Sequence, residues 1–179
     1  MILGPKELLE LVRTRKLVEG LSDRELTNPE GAGFDLRLGE VYRIKGEAFL
    51  GIEERRTPEV ELVAQYAEGE RRSVTIKPGD FYLVKTIESF NTPEDITVNF
   101  KPRSTLYRSG IFLRTGNVAP GYRGAVTFGL ANQGPVPVTI ELGARFVHAQ
   151  FEEVKGGGAA YRGQWQGGRT TTDKQERQV

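Results

Sequence analysis

From Gly33 onward the chain is a succession of short β-rich runs, each closed by turn residues, and this rhythm restricts the fold more than any other feature. The runs cover residues 34–38, 40–44, 60–63, 73–76, 81–87, 96–100, 111–115, 125–131, 136–140 and 145–151. They are separated by Lys77-Pro78-Gly79-Asp80, Asn91-Thr92-Pro93-Glu94-Asp95, Pro120-Gly121 and Asn132-Gln133-Gly134-Pro135. Short strands at this spacing predict an all-β sandwich or barrel with Greek-key or jelly-roll connections. One helix is predicted ahead of them, over residues 5–15. Pro5 suits a first helical turn, Leu8, Leu11 and Val12 share a face, and Gly20 offers a stop.

The 179 residues amount to one domain with a sizeable core. Twenty-five Lys and Arg against 24 Asp and Glu leave a charge of +1, so no global field draws the chain to nucleic acid or to a membrane surface. With no Cys, disulfides, thiolate zinc sites and Cys nucleophiles are excluded. His148 is the single histidine, which argues against a His-rich metal site and weakens a Ser-His-Asp reading. Strand alternation places Arg145, Val147, Ala149 and Phe151 on one face and leaves His148 structural or at the surface. No apolar run approaches membrane-spanning length and no charged-then-apolar leader is visible, so a cytoplasmic location is expected.

Three segments are candidates for chemistry. Lys101-Pro102-Arg103-Ser104-Thr105-Leu106-Tyr107-Arg108 gathers cations and hydroxyls at the end of a strand, where backbone N–H groups, Arg103 and Arg108 can converge on an anion. The alternative is a capped surface helix with a solvated basic face, which residue chemistry alone favours. Gly116-Asn117-Val118-Ala119-Pro120-Gly121-Tyr122-Arg123-Gly124 is a hairpin with a packed tyrosine or, functionally, a pocket wall with Tyr122 as a flat lid. The plain hairpin is again the simpler reading. Tyr161-Arg162-Gly163-Gln164-Trp165-Gln166-Gly167-Gly168-Arg169 suits a flap that closes over a ligand. Against a floppy terminus stands Trp165, the only Trp, a large apolar side chain ill suited to a disordered tail.

Taken in order, Met1-Ile2-Leu3 with the short helix, Phe34-Asp35-Leu36-Arg37-Leu38-Gly39, Pro102-Arg103-Ser104-Thr105-Leu106-Tyr107-Arg108-Ser109-Gly110, Pro120-Gly121-Tyr122-Arg123-Gly124 and Tyr161-Arg162-Gly163-Gln164 resemble the dCTP deaminase–dUTPase superfamily. The helix and the tail look more like the dCTP deaminase branch, including archaeal bifunctional members. The resemblance implies an all-β, distorted jelly-roll protomer over residues 1–152 and a flexible C-terminal flap over 153–179. It also implies a homotrimer with nucleotide sites shared between subunits, acting on a pyrimidine deoxynucleoside triphosphate, with Mg2+ carried on the triphosphate and no nucleic acid or membrane partner. Carried over residue by residue, Arg103, Ser104, Thr105 and Arg108 bind phosphates. Asn117 to Tyr122, including Ala119, hold deoxyribose and base, and Tyr161 and Gln164 close over the nucleotide.

Two departures bear on the chemistry. The deaminase branch carries a proton-transferring Glu on the strand after Tyr-Arg-Gly, where this chain has Gly129. Both branches place an Asp just before the Pro-Gly-Tyr turn, where this chain has Ala119. Losing a general base costs about 10²–10⁴-fold in rate. Asp35 and Glu141 are the acids considered as replacements, reaching in from another strand or subunit. Hydrolysis of dUTP or dCTP to the monophosphate and pyrophosphate is therefore expected ahead of deamination. A rearranged deaminase, a catalytically silent nucleotide-binding regulator and a jelly-roll sugar-binding or structural module are the alternatives.

Overall fold

A computed structural model describes residues 1–172 and 174–178. The helix α1 spans Pro5–Arg15, with Pro5 at its start, Glu7 in the first turn and Arg13 and Arg15 in the last. It ends at Lys16 rather than Gly20. Lys16 adopts a left-handed conformation (φ 53°), and its N–H reaches the Val12 carbonyl at 3.1 Å. Leu8 is fully buried against the sheet.

The remaining elements are β1 (Val18–Glu19), α2 (Asp23–Thr27), β2 (Phe34–Lys45), β3 (Phe49–Leu50), β4 (Glu54–Arg56), β5 (Glu59–Gln65), β6 (Ser73–Ile76), β7 (Phe81–Asn91), β8 (Ile96–Pro102), α3 (Ser104–Arg108), β9 (Ile111–Arg114), β10 (Asn117–Val118), β11 (Arg123–Asn132), β12 (Val138–Glu141), β13 (Arg145–Glu153) and β14 (Glu176–Arg177). Nine strands join in one curled antiparallel sheet along the path β10-β8-β13-β2-β7-β11-β9, with β1 added to β7 and β5 to β2. The all-β, jelly-roll-like architecture is as expected.

The runs 34–38 and 40–44 are one strand. Its register against β7 slips between Leu38 and Glu40, so Gly39 marks a bulge instead of a break. The first half of β2 pairs with β13 and the second half with β7 and β5, and the bulge lets one strand serve both walls of the fold. Between the walls lies an aromatic core. Phe34 meets Phe151 with ring centroids 5.7 Å apart, and Phe100, Phe128 and Phe146 follow edge to face at 5.0 and 5.9 Å. A second slip, between Arg145 and Val147, buries Phe146 as well as Val147, Ala149 and Phe151 and turns Arg145 toward Asp35.

Two carboxylates are fully buried with partners. Glu88 accepts from the Arg37 backbone N–H (2.9 Å) and Nε (2.7 Å), and Glu25 accepts from the Asp35 backbone N–H (3.0 Å). No helix is long and apolar enough to cross a membrane among the described residues.

Candidate functional site

The hairpin residues and the C-terminal tail enclose one cavity of about 450 Å3. Asn117, Val118, Ala119 and Tyr122 form one side and Phe81, Leu83 and Val126 the floor; Tyr161, Trp165, Arg169 and Thr170 cover it from the tail. Its size suits a small-molecule ligand, and its lining is mostly apolar. None of the described residues that line it is acidic.

Tyr122 is buried. Its hydroxyl donates to the Ala125 carbonyl at 2.7 Å and its ring meets Tyr161 edge to face at 5.4 Å. Burial, aided by Tyr161, pushes its phenol up to about 12, so it stays a neutral wall at any physiological pH. Thr92 supports the hairpin from below. Its hydroxyl donates to the Ala119 carbonyl at 2.9 Å and accepts from the Tyr122 N–H at 3.0 Å.

The tail follows the hairpin closely. The Tyr161 N–H donates to the Pro120 carbonyl (2.7 Å) and the Gly167 N–H to the Arg123 carbonyl (2.8 Å), and the Gln166 amide spans the Arg123 N–H and the Gly121 carbonyl. Glycine is required where the two backbones touch. A β-carbon at Gly124, whose φ of 126° already disfavours other residues, would lie 2.9 Å from the Gly168 α-carbon. Trp165 is half-buried, packs on the core and lines the cavity, so it is not stranded on the tail.

A second cluster lies at the end of β8. Arg103 precedes the short helix α3, and Ser104, Thr105 and Arg108 are exposed on it. Arg103 and Asp35 form an ion pair, and Asp35 also takes Arg145 Nη1 at 3.0 Å and His148 Nδ1 at 3.0 Å. Burial, with Arg145 second, lowers the Arg103 guanidinium from its ordinary value while Glu30 opposes the shift. Glu30, Asp35, Arg103, Ser104 and His148 line a shallow depression here. A Ser-His-Asp relay is not formed, because the remaining His148 nitrogen, Nε2, faces Gly33.

The structure thus brings Asn117, Ala119, Tyr122 and Tyr161 together at the cavity and Arg103 and Ser104 together at the depression, as two separate groups within one chain. Gln164 does not line the cavity; its side-chain amide donates to the Arg177 carbonyl. Asp35 stands beside the Arg103-Ser104 turn, while exposed Glu141 lines neither group. Residue types alone did not point to Phe81 as cavity floor, to Arg145, or to Arg55, which stacks over Trp165 at 4.8 Å from its ring centroid.

A family model described as dCTP deaminase-like matches residues 2–154. The chain belongs to this family. Among relatives of this dCTP deaminase-like protein, the probable deoxyuridine 5'-triphosphate nucleotidohydrolase of Methanothermobacter thermautotrophicus is 35% identical over 142 residues, 79% of this chain and 89% of that one. The dCTP deaminase of Pyrococcus furiosus is 32% identical over 157 residues, 87% of this chain and 88% of that one. In fold, the dCTP deaminase-like chain is similar to 2'-deoxycytidine 5'-triphosphate deaminase from Agrobacterium tumefaciens, with a TM-score of 0.65 at 20% identity over 84% of this chain. It spans 46% of that longer chain.

Proposed function

We propose that this protein binds a pyrimidine deoxynucleoside triphosphate, dUTP or dCTP, and hydrolyses it slowly to the monophosphate and pyrophosphate. The observation that carries this reading is the cavity of hairpin and tail residues, apolar and free of carboxylates among the described residues, in a chain of the dCTP deaminase-like family. The flat ring of Tyr122 suits a deoxyribose, and Asn117 and the hairpin backbone suit the edge of a base. The exposed Ser104, Thr105 and Arg108, with Arg103, suit phosphates.

Because the two groups lie apart in one chain, the reading includes a homotrimer in which the phosphate turn of one subunit completes the cavity of its neighbour. Residues 153–179 would act as the movable cover; of these, Asp173 and Val179 lie outside the described residues. Magnesium enters on the triphosphate, where it would neutralise charge. Asp35 is the carboxylate placed beside the phosphate turn, already held by Arg103 and Arg145. A cytoplasmic location accords with the substrate.

Hydrolysis is favoured over deamination by chemistry. Deamination requires a group that takes a proton from water and returns it to the ring, and Gly129 offers none. Phosphoryl transfer leans on positioning and charge neutralisation, which survive the loss of one acid better. The absence of an acid from the described lining also favours a second reading, a nucleotide-binding regulator that turns nothing over. Incubating the protein with dCTP and with dUTP in magnesium, and assaying ammonia, pyrophosphate and nucleotide products separately, tests both. Pyrophosphate without ammonia is the expected result. Tight binding with neither product would leave the regulator, and failure to bind any deoxynucleotide would favour a sugar-binding or structural module.

A further inference from the structure

The hairpin that walls the cavity closes through a turn whose own hydrogen bond is long. Ala119-Pro120-Gly121-Tyr122 has the form of a type II turn, with Pro second and Gly121 third at a φ of 75°. The bond that closes it, from the Tyr122 N–H to the Ala119 carbonyl, measures 3.3 Å. The Thr92 hydroxyl stands across this gap. It accepts from the Tyr122 N–H at 3.0 Å and donates its one proton to the Ala119 carbonyl at 2.9 Å, with the Tyr122 carbonyl a second acceptor at 3.1 Å.

Both ends of the bridged turn face the cavity, since Ala119 and Tyr122 line it, whereas Thr92 is 4% exposed and does not. The flanking carbonyls are fixed by other residues. That of Val118 takes the Thr97 hydroxyl at 2.9 Å, and that of Pro120 takes the Tyr161 N–H at 2.7 Å. Two backbone bonds also tie Thr92 to the turn. Its N–H donates to the Tyr122 carbonyl at 3.0 Å, and its carbonyl accepts from the Gly121 N–H at 3.1 Å. Without the hydroxyl the turn therefore stays attached, but the spacing of Ala119 and Tyr122 changes. The two would close on each other through their own bond and carry the Tyr122 ring with them.

We infer that Thr92 is a positioning residue of the cavity. Its hydroxyl sets the spacing between Ala119 and Tyr122, and thereby the fit of the Tyr122 ring to a sugar that lacks a 2′-hydroxyl. A misplacement of about 1 Å can cost about 10²-fold in a fitted site, so a smaller shift of the ring is measurable. The inference rests on the nucleotide reading for the identity of the ligand. The bridged turn itself stands apart from that reading.

The test compares the full chain with Thr92→Val, which keeps the side-chain shape and removes the hydroxyl, and with Thr92→Ser, which keeps the hydroxyl. Calorimetry with dUTP, UTP and inorganic tripolyphosphate gives the preference for deoxyribose and a control at the phosphate end, and amide exchange at Tyr122 reports on the turn. The parent should prefer dUTP to UTP, and Thr92→Val should lose about tenfold of that preference. Tripolyphosphate affinity should stay within about twofold, since the phosphate contacts are untouched. Exchange at Tyr122 should quicken in Thr92→Val, and Thr92→Ser should restore both readouts. A purely structural role would lower stability and leave the dUTP-to-UTP ratio where it is. An unchanged ratio in Thr92→Val overturns the inference, as does a loss that Thr92→Ser does not rescue. If Thr92→Val does not fold, Thr92→Ala is read by the same ratio, and failure of both to fold makes the hydroxyl a requirement of the fold and overturns the positioning role. A parent that binds dUTP and UTP alike keeps the nucleotide reading and refutes the inference. A parent that binds neither refutes both.

Discussion

The edge of the Phe81 ring lies against the α-carbon of Gly129, so close that a β-carbon on Gly129 would stand 3.1 Å from Cζ and 3.2 Å from Cε2. The two residues sit on adjacent strands, where Gly129 pairs with Leu83 and Ala131 with Phe81. Phe81 and Leu83 both line the cavity, so a side chain at position 129 would share the cavity floor. Any side chain at position 129 would meet the phenyl ring of Phe81.

Gly129→Ala should therefore cost about 1 kcal/mol, the low end of overpacking penalties, because Phe81 is 40% exposed and can swing outward. In a Phe81→Leu background the cost should vanish. A double-mutant cycle by urea denaturation reads this coupling, and additive effects would show that the ring and the glycine are independent.

Asp35 is 5% exposed and holds Arg103, Arg145 and His148. Asp35→Asn should leave these donors facing a neutral amide. Removing one partner of a fully buried pair costs about 3–5 kcal/mol. The arginine side chains here are 32% and 33% exposed, so solvent softens the loss to roughly 2–3 kcal/mol. Thermal melts at neutral pH check the figure. A variant as stable as the parent would mean that the cluster serves a ligand and not the fold.

His148 titrates below the ordinary histidine value, first because burial penalises its charged form and then because Lys101 and Arg103 face it; the Ala32 backbone and Glu25 oppose the shift. The unfolded chain then binds the proton more readily than the native one. Stability from this group is complete above the unfolded value, about 6.5, and is lost as the pH falls from there through the lower native value. His148→Gln should flatten that part of the stability profile. A parent protein equally stable at pH 7 and pH 5.5, after allowance for its carboxylates, would contradict the assignment.

How far the residues alone reached depended on the range of the interactions. The alternating run from Phe81 was legible as a strand, but its last turn of sequence was not. Glu88 reads as a surface residue until Arg37, 51 positions away, is brought to meet it. Strands β4 and β14 carry only Glu and Arg, and they pair only because the tail returns to Thr57 from 115 positions further along. The hairpin at Asn117–Tyr122 announced itself through its turn residues. Its neighbour Phe81 could not, since nothing local to Phe81 distinguishes a core ring from a cavity floor.

Arg108 is exposed at the end of α3, with its guanidinium carbon 6.0 Å from the Tyr107 ring centroid. Arg108→Ala should leave the fold intact, since a surface change of this kind shifts stability by about 0.5 kcal/mol or less. Binding of dUTP should weaken by about 1.5–3 kcal/mol, the worth of a charge-assisted bond, while deoxyuridine binding stays put. Calorimetry on both ligands decides the matter. Equal dUTP affinity in parent and variant would remove Arg108 from the phosphate site.

Ala119 lines the cavity between Asn117 and Tyr122, and its carbonyl is fixed by the Thr92 hydroxyl at 2.9 Å. A carboxylate introduced there would enter a lining that has none among the described residues, on a backbone that Thr92 already holds in place. If slow hydrolysis reflects the want of an acid that orients water, Ala119→Asp should raise the rate of pyrophosphate release from dUTP by about tenfold or more, part of the 10²–10⁴ that a general base supplies. Ammonia release from dCTP should not rise with it, because the ring still lacks a proton donor at position 129. An unchanged hydrolysis rate in a variant that binds dUTP as tightly as the parent would show that the missing acid is not what limits the chemistry. Ammonia from dCTP at an ordinary enzymatic rate in the parent would place the proton-transferring group elsewhere in the assembly.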